Sequence, residues 1–134
     1  MTLLVPNAGE VITLSYLVNK TTVTRDLIYK LFATNVTPAE TDTAASYTAA
    51  VGGGYADKTM TGASWTVTGG APTSAAFAQQ TWTFTGVLTT NTTIFGYFVI
   101  RTTDVDLVLA ETFTSFVPTN NGDQILLTPQ ITCD

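Results

Sequence analysis

Histidine is missing from all 134 residues. That removes the commonest general base and the commonest zinc ligand. The usual serine–histidine and cysteine–histidine nucleophile systems go with it. Acid–base work is left to carboxylates, and two pairs are closely spaced: Glu40 with Asp42, and Asp104 with Asp106. Such a pair divides into acid and base only where burial or a partner drives the two pKa values apart. Both pairs fall in or beside expected loops, so ordinary solvated carboxylates are the simpler reading. Asp104 and Asp106 around Val105, or the turn Asn120-Asn121-Gly122-Asp123, offer oxygen ligands for calcium. Neither has the spaced oxygens of an EF-hand loop, and a plain turn is preferred. The run Gly52-Gly53-Gly54, followed by Tyr55-Ala56-Asp57-Lys58, lacks phosphate-loop spacing and reads as a flexible turn. Cys133, the only cysteine, has no partner for an internal disulfide and reads as an incidental thiol.

Aromatic rings are the remaining candidates. Trp65, Trp82, Tyr47, Tyr55 and Tyr97 could stack on sugars, as in a carbohydrate-binding module. Each tryptophan alternates with threonine, however, which is the pattern of side chains turned into a core. Asn-x-Thr triplets at Asn19, Asn35 and Asn91 resemble glycan acceptors, but with 29 threonines chance explains them. No residue is assigned a catalytic, cofactor-binding or metal-ligating role. The chain is expected not to be an enzyme.

Composition narrows the partners. At 14.2 kDa the chain fits one domain with a single core. Charged residues make up 11%, against about 25% in typical domains. Hydrophobic residues make up 45%, which excludes a charge-driven disordered chain. The formal charge is −5, and Lys20, Arg25, Lys30, Lys58 and Arg101 are scattered. Nucleic acids and anionic membranes both need clustered basic residues, so neither is expected as a partner. No apolar run reaches the roughly 18 residues of a membrane span. The short apolar stretch from Met1 to Pro6 does not look like a secretory signal. A weakly charged exterior suits a subunit partly covered in an assembly.

Threonine, β-branched and uncharged, favours the pleated and half-buried surface of a sheet. Residues 7–19 are ambiguous: Val11, Leu14, Leu17 and Val18 fit a helix, whereas Ile12, Leu14, Tyr16 and Val18 alternate. A short helix is preferred, capped by Asn7 with Glu10 at the capping-box spacing. Residues 24–34 alternate as a strand, and Pro38 stops the chain beyond it. Residues 39–54 read as a long loop, with 46–51 as a short edge strand. Further strands are expected at 58–68 (Trp65 and Val67 on one face), 76–86 (Trp82 and Phe84 alternating with threonines) and 92–102. The last of these is apolar on both faces, as for a strand covered on each side or meeting another subunit. Strands at 106–116 (Leu107, Leu109 and Phe113 together) and 124–132 complete the set, joined by the turn at Asn120–Asp123. The expected fold is all-β, a single antiparallel jelly-roll-like sandwich over 24–134. Residues 1–20 form an arm or short helix, and the core includes Trp65, Trp82, Phe84, Phe98 and Leu109.

The segments LLVPNAGE, NVTPA, GGGY, QQTWTFTG and GYFV, in this order, resemble small virion proteins of tailed bacteriophages, including cyanophages. The resemblance spans most of the chain, and its motifs are structural. It implies a β-sandwich or jelly-roll capsid decoration (cement) protein on the outside of the head. Its partners are expected to be the major capsid protein and copies of itself, a homotrimer being the first guess. Residues 2–10 and the loop 40–54 are the expected contact segments, and removing residues 2–8 is expected to leave the domain folded. A neck, tail or baseplate component and a carbohydrate-binding module are the alternatives.

Overall fold

The computed structural model describes residues 4–18, 26–70, 72–102 and 106–133. One helix, α1 (Asn7–Leu17), precedes β1 (Leu27–Phe32), β2 (Val51–Gly52), β3 (Lys58–Met60), β4 (Thr66–Thr68) and β5 (Thr73–Ala76). β6 (Gln80–Thr83), β7 (Leu88–Thr90), β8 (Ile94–Arg101), β9 (Leu107–Phe116), β10 (Gln124–Leu127) and β11 (Gln130–Cys133) follow. The fold is all-β and sandwich-like. Its main sheet has the antiparallel order β3-β1-β8-β9. The facing layer is broken into three short sheets, β10-β6, β11-β5-β4 and β2-β7.

Two cores flank the main sheet, because alternate residues of a strand point to opposite faces. Tyr29, Leu31, Tyr97, Val99 and Leu109 meet Trp82, Phe84 and Leu88 of the facing layer. On the other face Phe32, Phe98, Ile100 and Ala110 meet Tyr47, with Val36, Ala44 and Ala49 packed around them. The apolar faces of β8 are thus both covered by the chain's own residues. The sheet edges are closed as well. Beyond the β3 pairing, the Leu31 N–H donates to the Tyr55 hydroxyl at 2.9 Å, and the Ala33 N–H to the Thr48 carbonyl at 2.8 Å. At the opposite edge Leu4 and Ala110 exchange two backbone hydrogen bonds of 3.1 Å.

Several expectations need correction. The helix is capped by Pro6 in extended geometry, with no side-chain cap. Asn7 is already helical, and its N–H is used on the Glu40 carbonyl, so the Asn7–Glu10 box does not form. Residues 58–68 are two strands split by a 3-10 turn at Gly62–Ser64. Trp65, expected in the core, is only half-buried; Val67, in register with Ala75 and Ile131 of the groove Trp65 lines, is 71% exposed. Residues 76–86 divide similarly, with Thr73–Ala76 and Gln80–Thr83 in different sheets. Buried Pro129 divides the last segment, sending β10 to β6 and β11 to β5. Leu107 and Leu109 do not share a face. A register shift beside Val99 and Ile100 leaves Leu109 in the first core and Leu107 in the second. The division between arm and sandwich lies at residues 19–25, outside the described residues.

Candidate functional site

The carboxylates that could have done chemistry hold loops instead. The Asp42 carboxylate accepts from the Ala39 N–H at 2.9 Å and from the buried Tyr47 hydroxyl at 2.7 Å. Glu40, its sequence neighbour, is exposed. Asp57 accepts from Tyr55 at 2.8 Å and pairs with Lys30 at 2.9 Å. Asp106 pairs with Arg101, while Asp104 lies outside the described residues. Asp26 accepts from the Gly62 N–H at 3.0 Å. At the Asn120–Asp123 turn, Asp123 Oδ2 accepts the N–H groups of Thr119 and Asn120, each at 2.8 Å. Those bonds, from Asn120 and then Thr119, hold its carboxyl below the usual range. Among the described residues, no three His, Cys, Asp or Glu groups converge as a metal site.

Tyrosines take the place that basic residues fill in most domains. Glu111 is buried, and the Tyr97 hydroxyl donates to it. Tyr29 stacks on Tyr97, with centroids 5.5 Å apart. Burial raises the phenol pKa of Tyr29, Tyr47, Tyr55 and Tyr97. The carboxylate each faces (Glu111, Asp42, Asp57 and Glu111 respectively) raises it further. These four phenols are thereby held neutral. Among the described residues, only the Asp57 pair has a salt bridge beside it, to Lys30.

The aromatic candidates are mostly spent on packing. Trp82 is buried and its indole N–H donates to the Ala56 carbonyl at 2.9 Å; Tyr47 and Tyr97 are buried too. Trp65 meets the Phe77 edge at 5.3 Å and lines an apolar groove of about 330 Å³ with Tyr16, Leu27, Met60 and Ile131. A second apolar cleft, of about 230 Å³, lies between β9 and β10; its tyrosine, Tyr97, is already bonded to Glu111. The Gly52–Gly54 run is a clasp rather than a loose turn. All three have positive φ, and a Cβ on Gly52 would lie 1.9 Å from Thr89 Oγ1. Asn35 and Asn91 are exposed, whereas Asn19 lies outside the described residues. Cys133 closes β11 by backbone pairing to Thr73.

The segments expected to reach a partner are built into the fold. Leu4 pairs with β9, Pro6 is buried, and Asn7 is tied to Glu40, so the residues from 4 onward and the loop hold each other over the second core. Residues 2 and 3 lie outside the described residues.

A different surface stands out. The facing-layer strands β2, β4, β5, β6, β7, β10 and β11 contain no charged residue. Lys30, Lys58, Arg101 and Glu111 all belong to the main sheet. Between Lys58 and Arg101 the sequence has no charge at all. Exposed on this layer are Val67, Val87 and Leu126, together with Thr66, Thr68, Thr83, Thr85, Thr89 and Thr90. Among the described strand pairings, β4 has β5 alone as a neighbour. The bare stretch could have been read from sequence, but only the topology sets β4 to β7, which lie within it, in one layer with β2, β10 and β11. Comparison with protein-family models, curated proteins and solved structures gives no match.

Proposed function

We propose that the chain is a non-enzymatic structural protein of a tailed-phage virion. Its role is a decoration or cement protein on the head, bridging major capsid protein subunits. The observation that carries this reading is the charge-free, threonine-clad facing layer. Ordinary surfaces keep charges of both signs interspersed for solubility. A face without them docks with no ion to strip of water, and the β4 edge can add backbone hydrogen bonds to a neighbour. The resemblance to phage virion proteins supplies the kind of neighbour. The engaged carboxylates and neutral tyrosine clamps agree with a static role.

The test is to add the purified chain to heads lacking it and measure uptake and resistance to heat. Wild-type protein is expected to saturate at the capsid-lattice copy number and delay disruption. Val67→Lys, which loads a charge onto the exposed β4, is expected to bind poorly while melting like the wild type. Saturation at the smaller copy number of the tail axis would move the protein to the neck, tail or baseplate. Retention on host polysaccharide, lost in Trp65→Ala, would replace the reading with glycan attachment.

A further inference from the structure

Among the asparagines of the sequence, only Asn121 precedes a glycine. In such a pair the glycine's backbone nitrogen can attack the asparagine side chain, with no Cβ to hinder the approach. Val36 and Thr92, which follow Asn35 and Asn91, are branched at Cβ and crowd the same path. Asn121 and Gly122 are both exposed, so water and hydroxide reach them.

The fold holds the pair short of reaction. Gly122 is the one residue of its turn with positive φ, at 98°. The Asp123 N–H donates to the Asn120 carbonyl at 3.3 Å, which makes residues 120–123 a type II turn. The Gly122 N–H, whose nitrogen is the nucleophile, donates to the Phe84 carbonyl at 2.8 Å. The Phe84 N–H donates back to the Asp123 carbonyl, also at 2.8 Å. These two bonds extend the β6–β10 ladder, and Phe84 is buried in the first core. Asp123 Oδ2 pins the turn from its other side by accepting from Thr119 and Asn120.

We infer that Asn121–Gly122 is a latent self-modification site, gated by the Gly122–Phe84 hydrogen bond. When the turn opens, hydroxide removes the Gly122 amide proton. The nitrogen's electron pair then forms a bond to Asn121 Cγ. The Cγ–Nδ2 bond breaks, and ammonia leaves with a proton taken from water, which regenerates the hydroxide. Water adds to the cyclic imide and cleaves either ring C–N bond, giving aspartate or isoaspartate. Nothing is oxidised or reduced. Either product adds a carboxylate to the turn. Isoaspartate also routes the main chain through the side chain, which lengthens it and takes Gly122 out of register with Phe84. Among the described strands β10 pairs with β6 alone, so it loosens, and with it Ile125 and Leu127 at the edge of the first core. The change runs one way and accumulates with the time spent open. It does not depend on the virion reading, because it is measured on the chain alone.

The test is incubation of the purified full chain in mildly alkaline buffer, with and without guanidinium. Peptide mass spectrometry follows the amide-to-acid change at Asn121, and enzymatic carboxyl methylation follows isoaspartate. Loss of Asn121 is expected to be at least about tenfold slower in the folded chain, because it waits on local opening. Asp123→Ala, with its fold confirmed by circular dichroism, is expected to react faster than the folded wild type. Asn121→Gln, whose longer side chain closes a less favourable ring, is expected to lose the isoaspartate signal. Folded protein carrying isoaspartate is expected to exchange the Phe84 amide hydrogen faster than fresh protein. Equal rates folded and unfolded, or an Asp123→Ala rate no higher than the wild type, would overturn the inference. So would isoaspartate persisting in Asn121→Gln, or unchanged Phe84 exchange after modification.

Discussion

The buried carboxylate of Glu111 depends on one phenol. Tyr97→Phe removes the hydrogen from that bond and leaves a buried acceptor unpaired, at a cost of about 1–3 kcal/mol. Glu111→Gln keeps an acceptor in place and is expected to cost less. Tyr97→Phe combined with Glu111→Leu should recover part of the loss, since no polar group is then stranded. Urea titrations of the four proteins check this. The tyrosines also set the alkaline limit. Their folded-state pKa values lie above the ordinary 10.0, so below that pH both states hold the proton and stability is unaffected. Above it the unfolded chain loses protons that the folded chain keeps, and stability falls. Each such phenol contributes a slope of about 1.4 kcal/mol per pH unit. Tyrosinate absorbance from these four phenols is therefore expected to rise in one cooperative step with unfolding, read against a Tyr16→Phe background. A gradual rise centred at the ordinary phenol pKa, with the fold intact, would contradict it.

At the scale of elements, Gly9 shows how tightly the helix is docked. Glycine in a helix interior costs about 1 kcal/mol relative to alanine, yet a methyl here meets the Val108 carbonyl. Gly9→Ala is expected to destabilise by about 1–3 kcal/mol through overpacking, outweighing the gain in propensity. A thermal melt shows the sign directly. The long strands could be read from sequence because their periodicity runs far enough: β1, β8 and β9 follow the expected spans closely, whereas residues 7–19 carry both periods and the helix is only the preferred one. The short outer strands could not. β4 and β7 are each only 3 residues long, too short for alternation to stand out. The register shift that separates Leu107 from Leu109 has no local sequence mark, because it arises from pairing with a distant strand. Core residues such as Trp82 and Phe84 were legible, being large rings between threonines. Trp65 has the same pattern but follows a 3-10 turn, which leaves it half outside.

At the scale of the whole molecule, the first residues act as a latch. Removing residues 2–8 takes away the Leu4 pairing, buried Pro6 and the Asn7 bond to the loop. The truncated chain is expected to melt at lower temperature, with faster hydrogen exchange at the Ala110 amide, which donates to Leu4. Unchanged protection there would show that the latch is dispensable. The candidate surface was only half legible. The absence of charge between Lys58 and Arg101 is plain in the sequence, but the strand order is needed to see that β4 to β7 join β2, β10 and β11 in one layer with no charged strand residue.

That segregation makes the molecule electrically lopsided, with consequences, under the proposed role, for the particle it would coat. A copy that lies bare side down hides its neutral layer and turns the acidic remainder to the solvent. Each bound copy then adds anionic character to the exterior of its support. A coated particle should migrate faster toward the anode than a bare one and resist clumping at low salt, an effect that fades as electrolyte is added. The same asymmetry that favours adhesion would keep the finished particles apart.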